Sequence, residues 1–175
     1  MAQQTWNIDS AHSSVGFVVR HMVFTKVRGA FKTFTSNLTV DDENPGASKV
    51  SVEIDVASVD TGEEKRDAHL RSPDFFDVEK FPKMTFSSKK VEGKSEHFQV
   101  VGDLTLHGVT REVTLEVDRE GAGKDPWGNQ RVGFSATAQI NRGDFGLKWN
   151  QALEAGGVLV GEKVEIHIEI SAVKA

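Results

Sequence analysis

Val164-Glu165-Ile166-His167-Ile168-Glu169-Ile170 alternates without a break between branched apolar and polar residues. A period of two sends successive side chains to opposite faces of an extended chain, so this stretch is a strand with one dry face and one wet face. The same pattern recurs upstream. Val132, Phe134, Ala136, Ala138 and Ile140 share one phase, and Val113, Leu115 and Val117 alternate with Glu112, Thr114 and Glu116. Phe98, Val100, Leu104 and Leu106 lie in one phase around Gly102, which reads as a bulge or a close backbone approach. Thr85 to Val91 is extended, and Val50, Val52, Ile54 and Val56 alternate with Ser51, Glu53, Asp55 and Ala57. Val27, Gly29 and Phe31 continue the series, and Trp6 to Val23 is a strand or a pair of strands whose inner phase holds Val15, Phe17, Val19 and His21.

Turn chemistry separates these runs: Asp41 to Gly46, Glu92-Gly93-Lys94-Ser95, His107-Gly108, and a long tip from Glu120 to Gln130 that includes Gly121-Ala122-Gly123-Lys124. The count is about eight antiparallel strands with one apolar face each, an all-β chain forming a single domain over residues 1–175. An open sheet would leave long edges exposed, so a closed barrel is expected, and ~8 strands enclose room for one small ligand.

Two stretches leave the strand pattern. Asp60 to Pro82 gathers charge, histidine and aromatics. Thr61 with Glu64 has the spacing of a capping box, which predicts a helix start there. Ser72-Pro73 ends that helix and suits a second start, with Phe75, Phe76, Val78 and Phe81 as its apolar face. Arg66, Asp67, His69 and Arg71 are placed to rim a pocket for an anionic head. A second helical insert is expected near 150–155, ending at Gly156-Gly157.

Composition removes several function classes. The chain has 175 residues, a formal net charge of −5 and no basic run, which excludes an electrostatic footprint for nucleic acid. Cysteine is absent, and with it disulfides, thiolate metal sites and a cysteine nucleophile. The six histidines form no metal-binding spacing, no GxSxG elbow is present, and no catalytic or metal-ligating residue is assigned. No apolar run reaches the ~20 residues of a membrane-spanning helix. The first ten residues lack the basic and apolar regions of a leader, so a soluble, cytoplasmic protein is expected. Arg142-Gly143-Asp144 reads as a turn that sets Phe145 and Trp149 against the barrel.

Beyond this patterning, the sequence resembles the YceI-like family over nearly its whole length. The resemblance rests on Trp6-x-Ile8-Asp9-x-x-His12-Ser13, Phe17-x-Val19-x-His21, Val27-x-Gly29-x-Phe31 and Ser58-Val59-Asp60-Thr61. It continues in Arg66-Asp67-x-His69-Leu70-Arg71-Ser72, Asp74-Phe75-Phe76-Asp77, Phe81-Pro82, Gly102-Asp103-Leu104-Thr105-Leu106 and Gly108-Val109-Thr110. Trp127-Gly128, Gly133-Phe134, Arg142-x-Asp144-Phe145-Gly146, Trp149 and Val160-Gly161-Glu162-x-Val164 complete it.

The resemblance implies an extended lipocalin-like barrel holding a polyisoprenoid chain, such as a polyprenyl diphosphate or an isoprenoid quinone, with no catalytic residues and no cofactor. Many members look periplasmic and carry a leader, whereas the reading of the first ten residues leads to the expectation of a cytoplasmic protein here.

The expected apolar lining is Phe17, Val19, Phe31, Phe75, Phe76, Phe134 and Trp149, with His21, Asp67, His69 and Arg71 at a polar mouth. The expected role is carrier, store or sequestering protein for the lipid, and the surface permits a homodimer. Two rival readings stand beside it. One is an enzyme using Asp67 and His69 as an acid/base pair, disfavoured because helical residues two apart do not face each other. The other is a stress-related interaction protein with a filled barrel.

Overall fold

A computed structural model of the protein describes residues 3–22, 24–41, 43–94, 96–150 and 159–175. The opening stretch of the sequence lies in β11 (Val160–Lys174), and its alternation is visible in the burial: Val164, Ile166, Ile168 and Ile170 are half-buried while Glu165, His167 and Glu169 are exposed. The other strands are β1 (Gln3–Ile8), β2 (Ser14–His21), β3 (Thr25–Phe31), β4 (Phe34–Asp41), β5 (Lys49–Asp55) and β6 (Val59–Asp60). Then come β7 (Lys83–Lys94), β8 (His97–Leu106), β9 (Val109–Lys124) and β10 (Gln130–Asn141).

Every pairing is antiparallel, and β1 pairs with both β4 and β11. That double pairing closes a ring of eight strands in the order β1-β4-β5-β7-β8-β9-β10-β11, as the sequence pattern predicts. β2, β3 and β6 extend the wall at one end, where β2 takes over the edge of β11 from β1. The interruptions are local. A 3-10 turn at Ser10–His12, capped by the Asp9 carboxylate, separates β1 from β2, and another at Val56–Ser58, capped by Asp55, separates β5 from β6. Counting each broken strand with its continuation, the chain runs up and down around the barrel in sequence order.

Hairpin chemistry sets the ends. His107 and Gly108 both have positive φ, 55° and 73°, the conformation of a tight two-residue turn between strands with right-handed twist. Gly102 is a close approach: a Cβ there would lie 2.5 Å from Phe86 Cζ and from the Ser87 carbonyl oxygen, and the bulge falls opposite, between Ser88 and Lys90. Two expected turns are shorter than their sequences suggest. β7 continues through Lys94, and β9 runs through Lys124 with Gly121 and Gly123 paired to Gly133 and Arg131 of β10, so the tip is confined to 125–129. Pairing satisfies the glycine backbone groups that a loop would leave to water.

The excursion between β6 and β7 holds one helix, α1 (Glu64–Arg71), where two helical segments are expected. Its N-cap is Glu63, whose carboxylate accepts from the Arg66 N–H; Thr61 is drawn away to the Asp67 carboxylate, which takes both its N–H and its hydroxyl. The second segment is a series of turns. Ser72 donates its hydroxyl back to His69 O, the Phe75 and Asp77 amides both converge on Ser72 O, and Asp77 takes φ 51°, which stops a helix from propagating. The insert expected near 150–155 lies, from residue 151 onward, outside the described residues.

Apolar packing divides in two. One cluster is built on Val15, Phe31, Val56, Val59, Leu104, Leu106, Phe145 and their neighbours, and a smaller one of Trp6, Val132 and Ala172 fills the end where β1, β10 and β11 meet. Between these clusters the barrel is hollow.

Candidate functional site

The inward side chains of the barrel do not meet across its axis. They surround a cavity of about 710 Å³ whose wall is mostly Val, Ile, Leu and Phe, with polar residues at both ends: His21, Arg66, His69 and Arg142 at the α1 end, and Asp41, Ser48, Lys49 and Arg119 at the other. This explains a feature of the burial: Phe17, Val19, Val52, Leu115, Ile166 and Ile168 point inward yet are only half-buried, because they face empty space instead of one another. A strand of twelve residues such as β10 spans about 40 Å, and a barrel tilt near 40° converts this to an interior of about 30 Å along the axis.

All seven residues expected as apolar lining do line this cavity, as do His21 and His69. Phe17 and Phe31 stack at 5.6 Å between centroids, and Phe76 meets Phe31 edge-on at 5.8 Å. Gly29 makes room for this stack, since a Cβ on it would sit 2.4 Å from Phe17 Cζ and 2.9 Å from Thr61 Cγ2. The spacing Val27-x-Gly29-x-Phe31 thus has a steric cause. His69 packs edge-on against both Phe75 (5.0 Å) and Trp149 (4.7 Å), while its Nε2 meets the Asp74 carboxylate at 2.9 Å. His21 faces the cavity at the same end, with no side-chain hydrogen bond among the described residues.

Asp67 and Arg71, expected at the mouth, are outside the lining. The buried Asp67 carboxylate is spent on Thr61, and Arg71 lies along α1 with its guanidinium donating to the carbonyls of Ala57 and Val59 and to Glu64. Both anchor the helix to the barrel rim. Arg66 takes their place at the cavity. Its Nε and Nη2 donate to Thr61 Oγ1 and Thr61 O, each at 2.7 Å, and its Nη1 has no partner among the described residues.

A second arginine escaped the site reading altogether. Arg142 is 5% exposed, lines the cavity and forms no salt bridge among the described residues. Its guanidinium donates instead to the carbonyls of Leu147 (2.7 Å), Trp149 (2.9 Å), Gly161 (2.9 Å) and Val160 (3.2 Å). Burial pushes its pKa below the ordinary arginine value, opposed by the charge of Glu162. Five donors in a planar fork can satisfy such a set, which a lysine cannot. Arg142 therefore ties both ends of the 147–160 excursion to the barrel rim. Nearby, Phe145 is buried under this turn, and its carbonyl meets His107 Nδ1 at 3.1 Å, whose ring in turn packs on Phe81 at 4.7 Å.

Among the described residues there is no cluster of His, Asp and Glu able to hold a metal ion, and no helix is long and apolar enough to cross a membrane.

A closed eight-stranded barrel with a hollow, mainly apolar interior and polar groups at its ends is a lipocalin-like architecture. Residues 6–172 match the YceI-like domain model, and the chain belongs to that family. It is 44% identical over 140 residues to Protein YceI of Escherichia coli O157:H7, covering 80% of this chain and 73% of that one. Among solved structures it is similar to BcnA of Burkholderia cenocepacia, with a TM-score of 0.83, 25% identity, and 94% and 99% of the two chains covered. A polyisoprenoid binding domain from Saccharophagus degradans, implicated in plant cell wall breakdown, shares the fold with a TM-score of 0.68 at 17% identity, covering 98% of this chain and 99% of that one.

Proposed function

We propose that the protein binds a long-chain isoprenoid lipid, of the polyprenyl diphosphate or isoprenoid quinone type, along the barrel axis and serves as its carrier, store or sequestering agent. One observation carries the reading: inward apolar side chains such as Phe17, Val19, Val52, Leu115, Ile166 and Ile168 face a cavity of about 710 Å³ and stay half-accessible, where a filled barrel would bury them. Its size is that of ligand pockets, roughly 300–1,000 Å³. Its wall offers water too few hydrogen-bond partners, and apolar cavities of this kind take apolar guests.

Burying hydrocarbon contributes about 0.8 kcal/mol per methylene before association costs, so tail length supplies affinity. An apolar wall discriminates weakly between tails, which leaves selectivity to the polar groups at the ends. At the α1 end the Nη1 of Arg66, which has no partner among the described residues, with His21 and the His69–Trp149 pair, suits an anionic or carbonyl-bearing head. Catalysis by Asp67 and His69 is not favoured, because their polar atoms are directed to Thr61 and Asp74 respectively.

Extraction of the purified protein with organic solvent, followed by mass spectrometry, tests the proposal. An isoprenoid species in near-stoichiometric amount is the expected result. An extract free of lipid, together with no uptake of added isoprenoid, would refute it in favour of an interaction protein with an unused interior.

A further inference from the structure

Between β2 and β3 the sequence reads Met22-Val23-Phe24, three apolar residues where a connection of this kind is ordinarily polar, and the structure places Met22 and Phe24 at the tip of the hairpin. Phe24 is 86% exposed and Met22 44% exposed, and the remaining exposed large hydrophobic among the described residues, Trp127, lies at the opposite end of the barrel. The tip is held in place. Met22, at φ 54°, donates its N–H to Leu159 O at 2.7 Å, and the Phe24 N–H returns to Met22 O at 2.8 Å.

Just behind the tip, Arg20 and Lys26 sit directly opposite each other across the hairpin, and Arg28 follows on the same exposed face. None of the three has an ion-pair partner among the described residues. In the β11 bulge opposite Arg20, Glu162 is accompanied by Lys163, which leaves no net charge there, and the following acidic residue, Glu165 opposite Val18, is engaged by His167. Like charges directly opposite on paired strands repel, so a chain that is net negative holds here a cationic patch awaiting an outside anion.

We propose that this tip is a membrane-docking finger: Phe24 and Met22 enter the acyl boundary of a bilayer while Arg20, Lys26 and Arg28 meet anionic phosphates at its surface. Apolar residues beside basic ones are the combination that binds the interface of anionic membranes. The placement supplies the purpose. His21 pairs with Val160, and both line the cavity together with Leu159, so the finger is continuous with the end of the interior that holds Arg66 and His69. A docked protein would set that mouth at the membrane surface, where a lipid tail can enter without crossing water. The purpose, though not the docking itself, rests on the function proposed above.

Flotation of the protein with vesicles of phosphatidylcholine plus phosphatidylglycerol, and with phosphatidylcholine alone, tests it in the wild type, a Met22→Ser/Phe24→Ser variant and an Arg20→Gln/Lys26→Gln/Arg28→Gln variant. The wild type is expected to partition onto the anionic vesicles and to lose binding as salt rises. Each basic residue near such a surface is worth roughly fivefold, so the triple variant should bind roughly a hundredfold more weakly. In parallel, geranylgeraniol is titrated into each protein without vesicles. Unchanged uptake with lost flotation supports docking by the tip. Wild type that floats with neither vesicle, variants that float as well as wild type, or a wild-type dimer made monomeric by the serine variant would each overturn it, the last by showing that a second copy covers the patch. Flotation without geranylgeraniol uptake would leave docking standing and remove the carrier function instead.

Discussion

Replacing Arg142 with methionine removes the fork that holds both ends of the 147–160 excursion, and its effect follows from what stays behind. The four acceptor carbonyls are backbone and cannot be deleted with the side chain. Val160 O keeps the Asn150 amide as donor at 2.7 Å, whereas the carbonyls of Leu147, Trp149 and Gly161 lose the guanidinium. Three hydrogen bonds to a charged group represent a gross loss of about 5–9 kcal/mol. Against it stands relief of the desolvation that depresses the arginine pKa, a few kcal/mol for a buried cation. The net expectation is about 2–4 kcal/mol of destabilisation, because swapping a charge for an apolar group is neutral only when both partners of the interaction leave together. Urea unfolding with linear extrapolation measures it, and hydrogen exchange should show faster opening of the amides around 147–150 and 159–161. A change within about 0.5 kcal/mol of wild type would refute the reasoning, since that is the range of an inconsequential surface substitution. Arg142→Lys should fall between the two, as one ammonium cannot reach four carbonyls; lysine matching wild type would show that charge, not fork geometry, matters.

Three further outcomes are expected. His21→Ala should weaken binding of a headed isoprenoid by about 1–3 kcal/mol, with far less effect on the matching bare hydrocarbon, and equal losses in calorimetric titration would make His21 a packing residue. Gly102→Ala should destabilise by about 1–3 kcal/mol in thermal or urea melts, because the added Cβ collides with the Ser87 carbonyl, which is backbone and cannot rotate away. Hydrogen bonds from Arg131 foremost, with His12 adding to the effect at Asp9, hold Asp9 and Asp125 at about 2, so their contribution is complete above the ordinary carboxylate range and is lost as pH falls through that range toward 2. Thermal melts across acid pH should show a steeper decline for wild type than for Arg131→Gln, and parallel curves would remove the triad from the account.

The uneven legibility of the site has a physical origin. A strand places alternate residues on opposite faces whatever lies beyond it, so Phe17, Val19, Phe31 and Phe134 could be assigned to one inner surface from local pattern. Arg66 could be grouped with Asp67, His69 and Arg71 at a rim but not singled out from them, and Arg142 could not be assigned at all. Both stand among charged residues that a sequence presents as solvated, and their partners, Thr61 for one and carbonyls as distant as Gly161 for the other, are brought to them by the rim. The capping error at α1 has the same source: Thr61 and Glu63 are each able to cap, and the choice is made by Asp67, which captures Thr61 from across the turn.

From sequence alone came the all-β class, the count of about eight strands, the inner phase and the kinship with the YceI-like family, because each rests on period, turn chemistry or residues matched in order. Closure was expected from the cost of open edges, but the way the ring closes was decided by the tertiary structure, in which β1 takes the last residues of the β11 edge and leaves the rest to β2. So was the difference between a filled barrel and a hollow one, since alternating Val, Ile and Phe describe either. Whether opposing walls touch depends on the diameter that strand number and tilt impose together, and that quantity belongs to the closed ring and to no segment of the chain.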